Sequence, residues 1–424
     1  MYFLDDIKQL NEARIVQIIR MFMMNDKPLL ERYEKYYENK DNDEANVNYC
    51  YSIVQTYCGY LSGVPISYTS AEDIGDILEI LRYNDYHAED NDLLESALVY
   101  GISYELNYLD EEAQQRFTHL DSKEVIPIYS NDIQKKLIAA IRIYDANDYS
   151  VQWLSDLNKK HFCDVYTDTK IIHYEYQYGS LKFLSEERHY FGMVPITVFE
   201  LNKKRKSVFD QVMSLQDAYN RLLNANIGDY ESFVDAFLIV QGAYLDDETL
   251  TDAQNGKRVL NIPDSDSVIK YLTKPDSSTG IKNLLDNIEE KIKRIAQAPD
   301  FAEEGFGTSS GIAIRYKLTG METVCANIET NMKKALQKRL ELICAIQRLT
   351  ASDFTWRDVE IVFTRNLPVN ELEEAQMVNQ LRGLVSNKTL LSQLNFITDV
   401  DAELEALKEQ EEPLYNFNFE ESEV

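Results

Sequence analysis

Ile15, Ile18, Ile19 and Phe22 recur at the three- and four-residue spacing of one helix face. This predicts one or two amphipathic helices over residues 12–39, with Pro28 opening a second segment. The polar tract NKDNDEAN over 39–46 predicts a loop. From 49 to 61 apolar and small residues again follow a helical period, which brings Cys50 and Cys58 near one face, in a core position; Gly59, Gly63 and Pro65 mark the end. Short helices are expected over 73–84 and 91–100. Segments dense in Tyr, Ile and Val then alternate with turn residues up to Leu201. They predict strands over 103–109, 125–129, 137–144, 163–167, 170–176 and 196–200, the last directly after Pro195. The first half is thus α+β.

The second half is mainly helical. A long helical stretch covers 207–235, and 236–273 switches to short strands (AFLIVQGAYL, KRVLNIP, SVIKYLT) between polar turns. A helix resumes at about 280, where Leu284, Leu285, Ile288, Ile292 and Ile295 form a stripe and Glu289–Lys293 and Glu290–Arg294 have the favourable i,i+4 orientation. Pro299 ends it. After the loop DFAEEGFGTSSG a helix over 312–350 would span about 58 Å, with Gly320 the expected bend. Beyond Pro368, acidic helical segments (NELEEAQMVNQL, NKTLLSQL, DVDAELEALKEQEE) lead into an acidic, aromatic tail expected to be disordered. No internal repeat is visible.

With 424 residues, the chain exceeds one simple core and calls for several packing units. Its 43 Lys+Arg against 72 Asp+Glu give a net charge of -29, which repels phosphates and argues against a tight duplex-binding surface. DNA as a sliding cargo remains compatible, because a wall that bound phosphates strongly would hold the duplex. The five cysteines form no CxxC pair, which implies reduced thiols and no zinc site. No run of about 18 apolar residues is present, so neither a membrane span nor a signal peptide is expected.

Candidate chemistry is sparse. His161, Cys163, Asp164 and Asp168 form the sole ligand-like cluster, and strand alternation would split their side chains between faces. GFGTSSG over 305–311 lacks the GK[ST] of a phosphate loop, and Asp264 and Asp266 sit among turn formers. The basic run KKRK over 203–206 opens the expected helix as a solvated loop, with contact to passing phosphates or a neighbouring subunit as its functional alternative. Lys333, Lys334, Lys338 and Arg339 crowd one helical stretch, where pairing with acids across a subunit interface is expected. No catalytic site, metal or cofactor follows from these residues.

Six segments in order resemble the portal proteins of tailed bacteriophages of the siphophage type. They are VNYCYSIVQTYCGYLSGVPISY (47–68), LLESALVYGISYELNYLDE (93–111), HYFGMVPITVFELN (189–202), SLQDAYNRLLNANIGDYESFVDAFLIVQGA (214–243), SSGIAIRYKLTGMETVC (309–325) and VSNKTLLSQLNFITDVDAELEAL (385–407). The resemblance implies a mainly helical α+β portal fold, assembled as a homo-oligomeric ring of about twelve subunits at one capsid vertex of the virion after assembly in the host cytoplasm. It divides the chain into a wing (1–206), first stem helix (207–235), clip (236–278), second stem helix (279–298), tunnel loop (299–311), long kinked helix returning to the wing (312–367), and crown with acidic tail (368–424). The short crown is the one departure. Implied partners are the terminase large subunit, the head–tail connector, capsid and scaffolding proteins, and double-stranded DNA passing non-specifically. The DNA-channel loop would present Phe301, Glu303, Glu304, Gly305, Phe306, Gly307, Thr308 and Ser309, and the clip would dock partners through Lys257 and Arg258. Such a chain is a conduit and no enzyme. The competing classes are a phage DNA-processing enzyme, which would need clustered acidic or histidine ligands, and an acidic monomeric binding protein, which would have the size of one chain.

Overall fold

The architecture is that of a computed structural model, which describes residues 1–39, 45–145, 161–234, 238–241, 251, 268–271, 278–299, 311–348, 355–366, 378–391, 400, 403, 404 and 407. Helix α1 (Glu12–Met21) starts where the Asn11 side chain accepts the Arg14 backbone N–H at 2.9 Å. A π-helical turn over Phe22–Asp26 joins it to α2 (Lys27–Glu38), whose first turn holds Pro28, so the expected second segment does begin there. Asn39, at φ 57, closes α2 in the left-handed conformation. Helix α3 (Tyr49–Ser62) buries Cys50 in the core and packs Cys58 against it. Helices α4 (Gly75–Tyr83) and α5 (Tyr86–Tyr100) follow, the second starting five residues before its expected position.

Gly101 ends α5 at φ 79, its N–H donating to the Ala97 carbonyl at 2.7 Å. A side chain there would run into the backbone of Arg205, so both the left-handed turn and the close approach select glycine. From this point the chain builds two sheets. Strands β5 (Val125–Ser130), β6 (Leu137–Asp145), β7 (His161–Tyr166), β8 (Lys170–Gln177) and β9 (Ser180–Arg188) form an antiparallel meander, and β1 (Tyr2–Leu4) joins its β5 edge in parallel. Strand β3 (Ile102–Leu109) lies between β10 (Ile196–Glu200) and β4 (Gln115–Leu120) in a three-stranded antiparallel sheet. A short pair joins β2 (Ser67–Thr69) to β13 (Glu360–Val362).

The six strands expected before Leu201 all form, each within two residues of its predicted ends, whereas the KRVLNIP segment at 257–263 lies outside the described residues. Strands β1, β2, β4, β9 and β13 are additional. β9 is exposed almost throughout and carries Lys182, Glu186, Glu187 and Arg188, charges that protect a sheet edge against further pairing.

The first long helix begins later than expected. Residues 208–212 form turns, because the Val208 N–H donates to the Leu98 carbonyl and Ser207 Oγ to the same oxygen, tying the segment to the end of α5. Helix α6 (Met213–Val234) then runs out and packs against α7 (Ser278–Ala296). Between them β11 (Leu238–Gln241) pairs with β12 (Val268–Tyr271), Leu238 facing Tyr271. Helix α8 (Gly311–Gln347) has 37 residues and is about 56 Å long. Its helical assignment is continuous through Gly320.

Three cores result. The largest gathers α3, α4, α5, the base of α7 and α8 around fully buried Val54, Leu81, Leu93, Leu94, Leu336 and Leu340. Each such side chain contributes roughly 1.5–3 kcal/mol of burial. A second lies between α1 and the six-stranded sheet, and a third between the two sheets, around Tyr104, Val125, Ala140 and Ile196. The fold is therefore mixed helix and sheet, as expected.

Candidate functional site

The loop residues Phe301, Glu303, Glu304, Gly305, Phe306, Gly307, Thr308 and Ser309, and the clip residues Lys257 and Arg258, lie outside the described residues. What is described is the frame that holds both segments. At the near end of the 300–310 segment, α7 finishes at Ala296 and Gln297 turns left-handed at φ 54, before Pro299. Ala296 and Ala298 are buried, and the Tyr57 hydroxyl donates to the Ala296 carbonyl at 2.9 Å. On α8, Gly320 faces this turn: a Cβ there would meet the Gln297 side-chain amide. Gly320 thus sits against the Gln297 side chain.

The stripe on α7 is divided. Ile288 and Ile292 are buried, whereas Leu284 and Ile295, also on the expected stripe, remain 48% and 45% exposed. Glu289 and Lys293 pair at 2.6 Å, but no ion pair joins Glu290 to Arg294 among the described residues. Ile227 on α6 and Tyr316 on α8 are also exposed. Apolar side chains thus face outward on each of the three long helices flanking the undescribed segments.

Helix α8 is fixed to the rest of the chain by two arginines. Arg339 is fully buried: its Nη1 donates to Asp90 Oδ1 at 2.6 Å, its Nε to Glu105 Oε2 at 2.9 Å, and its Nη2 also to Glu105. The Phe117 ring lies 4.4 Å from the guanidinium carbon, adding a cation–π contact. Burial pushes the Asp90 carboxyl up to about 6, with Arg339 pulling the other way. Arg365 bridges Glu322 at 3.0 Å and Glu329 at 2.7 Å, and the Tyr60 hydroxyl donates to Glu322 at 2.6 Å. Burial works against the Arg365 charge, but the two glutamates more than offset it and raise its pKa.

These contacts correct the expectation for the basic stretch of α8. Arg339 pairs inside its own chain with Asp90 and Glu105, Lys333 with Glu329 at 2.8 Å, and Lys338 with Glu341 at 2.8 Å. The KKRK run is also only partly a solvated loop. Arg205, at φ 52, is folded inward, where its Nη2 pairs with Glu200 at 2.5 Å and donates to the Tyr129 hydroxyl at 3.1 Å, and Lys206 pairs with Asp210 at 2.7 Å. Lys203 stays exposed.

The histidine–cysteine cluster is not assembled. His161 pairs with Asp145 at 2.5 Å, Asp164 pairs with His173 at 2.7 Å, and Cys163 is buried against the sheet core. Among the described residues no group of histidine, cysteine and acidic side chains could hold a metal ion, and no helix is long and apolar enough to cross a membrane. The Arg339–Asp90–Glu105 cluster was not foreseeable from spacing, because Arg339 lies more than 200 positions from both acids.

Comparison with known proteins gives the frame a family. The portal protein of Clostridium phage phiCD119 is 22% identical over 392 residues, covering 87% of this chain and 85% of that protein. The portal protein of Bacillus phage SPP1 is also 22% identical, over 416 residues, covering 88% and 77%. Among solved structures, the neck of a native GTA particle computed with C12 symmetry has 13% identity and a TM-score of 0.48, covering 82% of this chain and 89% of the other. The profile of the family described as phage portal protein, SPP1 Gp6-like, matches residues 3–413, and the chain belongs to that family.

Proposed function

We propose that this chain is the portal subunit of a tailed phage: a closed ring at one capsid vertex, through which the genome is packaged and later leaves. The match to the portal family over nearly the whole chain carries this reading. The outward apolar residues Leu284, Ile295, Ile227 and Tyr316 support it, since a head-to-tail ring would cover such positions with the neighbouring subunit. A ring of about twelve copies follows from family likeness alone.

Within this reading the two sheets with α1–α5 form the wing, α6 and α7 the stem, and 236–278 the clip, which docks the terminase large subunit during packaging and then the connector. Residues 299–311 form the loop facing DNA, and 368–424 the crown and tail. The anchoring of α8 by Arg339 and Arg365 gives that loop a rigid post on one side, and Tyr57 fixes the other. The loop has no basic residue, so it guides the duplex without gripping it. Hydrolysis of ATP belongs to the motor in this scheme, and the chain contributes no catalytic group.

Light scattering of the purified chain tests the assembly directly. The expected mass is roughly twelve times 49.2 kDa, with rings in electron micrographs. A species of one chain, or open filaments, at micromolar protein would overturn it. The loop is tested by Glu303→Lys with Glu304→Lys, and the clip by Lys257→Glu with Arg258→Glu. Each pair is expected to leave rings intact and lower the DNA packaged per capsid, and unchanged packaging removes that segment from the mechanism.

A further inference from the structure

In a chain with net charge -29, one groove of about 570 Å³ is lined by five lysines. Lys135 and Lys136 come from the turn before β6, Lys203 from the loop after β10, and Lys334 and Lys338 from one face of α8. Glu200 is the sole acid among the described lining residues, and Arg205 already engages it. Lys338 has Glu341, but no carboxylate among the described residues pairs with Lys135, Lys136, Lys203 or Lys334. Nearby, Lys333, Arg205 and Lys206 find acids within the chain, whereas these four ammoniums gather on one groove with no carboxylate paired to them among the described residues.

The floor is apolar, made by Phe3, Met193, Ile196 and Val198. Phe3 lies on β1 and Ile196 and Val198 on β10, and both strands are edges of their sheets among the described strands. A duplex would want hydrogen-bond donors across the whole contact, and this floor supplies none. An extended peptide with apolar residues on one face and acids at its ends meets the requirement.

The chain contains such a segment. In 409–424, Tyr415, Phe417 and Phe419 alternate with Asn416 and Asn418, so in an extended chain the three rings share one face. Glu409, Glu411 and Glu412 precede them and Glu420, Glu421 and Glu423 follow, with no Lys or Arg in the segment. We infer that the lysine groove receives the C-terminal segment 409–424 of this chain, aromatic rings on the Phe3–Val198 floor and glutamates against the lysine rim.

Photocrosslinking in the full chain tests this, with benzoylphenylalanine in place of Phe417. Adducts are expected at 135–137, 193–203 and 331–338. Their yield should drop by about tenfold or more when Lys136→Glu, Lys203→Glu and Lys334→Glu are combined, and fall with rising salt. Mixing isotopically light and heavy chains tells whether the segment comes from the same copy or a neighbour, and either result supports the docking. Adducts elsewhere, or an unchanged yield in the lysine variant, would overturn it. So would a duplex oligonucleotide that binds the full chain through these lysines while no tail adduct forms. Should the lysine variant fail to fold, Tyr415→Ser with Phe419→Ser leaves the groove intact and is expected to speed hydrogen exchange at 196–200; unchanged exchange there also defeats the proposal.

Discussion

Replacing Arg339 with methionine removes the one buried cation facing Asp90 and Glu105 while nearly preserving volume. Both carboxylates are as buried as the guanidinium, so neither can turn to water, and their charges are left without a partner. Breaking a buried pair in this way costs about 3–5 kcal/mol, a large share of the 5–15 kcal/mol that holds a typical domain. The cost depends on pH with a definite sign. Burial already raises the Asp90 carboxyl to about 6 and Arg339 is what opposes it, so without Arg339 the contribution of Asp90 is favourable below about pH 4 and is lost as pH rises through the folded value. The variant should therefore be closest to the parent at mildly acidic pH and furthest from it at pH 8. A neutral trio, Asp90→Asn with Glu105→Gln and Arg339→Met, is expected to recover most of the loss, because the trio no longer buries any charge. Urea unfolding followed by near-ultraviolet circular dichroism, at about pH 5.5 and about pH 8, reads all three proteins. An Arg339→Met variant within about 1 kcal/mol of the parent at both pH values would refute the assignment of this cluster as the lock between α8, α5 and β3.

Other expectations follow from single positions. Gly101→Ala, at φ 79 and against the Arg205 backbone, should cost at least about 2 kcal/mol, whereas Gly320→Ala meets only the mobile end of Gln297 and should be neutral or stabilising by up to about 1 kcal/mol; thermal melts of the two distinguish them. Burial pushes the Cys50 and Cys163 thiols up to about 12, so iodoacetamide at pH 8 should leave both unmodified in the native protein and label them after unfolding; rapid native labelling of Cys50 would contradict its place in the core. Burial also holds His119 below the ordinary imidazole range, so the unfolded chain takes up this proton first and stability falls with acidification below about pH 6.5. His119→Gln should flatten that part of the Tm–pH curve, and an unchanged slope would show that His119 is not responsible.

The helices of this chain were legible because each has an apolar stripe that meets one of the cores: Ile15, Ile18 and Ile19 on α1, Ile288 and Ile292 on α7. The longer strands buried on one face or both were legible for the same reason, although β4, which buries Phe117 and Leu120, was not among them. β9 was not, since hardly any residue from Ser180 to Arg188 is buried and hydrogen bonds to β8 hold it there, and periodicity reports burial and not backbone pairing. The helical pattern extends over 208–212, which is as apolar as a helix turn, yet α6 starts later because the Val208 N–H and the Ser207 hydroxyl are both taken by the Leu98 carbonyl, over 100 positions away. The loop and clip follow from family likeness together with Pro299, the loop glycines and the short strands between polar turns, and the side chains at 257, 258 and 301–309 lie outside the described residues.

Charge was legible as a total and misleading as a pattern. The four cations at 333–339 look like one basic face, and the fold divides them: Lys333 turns to Glu329, Arg339 goes inward to Asp90 and Glu105, and Lys334 and Lys338 face the groove. Lys333 and Lys338 find their acids one turn away on α8 itself, but the acids that neutralise Arg339 come from α5 and β3, and only the tertiary fold decides that. In so acidic a chain every cation has many possible partners, so a cation's function follows from which acids reach it. For Arg339 that makes it a lock, and for Lys334, which has no carboxylate paired to it among the described residues, it fits the proposed docking of an acidic segment.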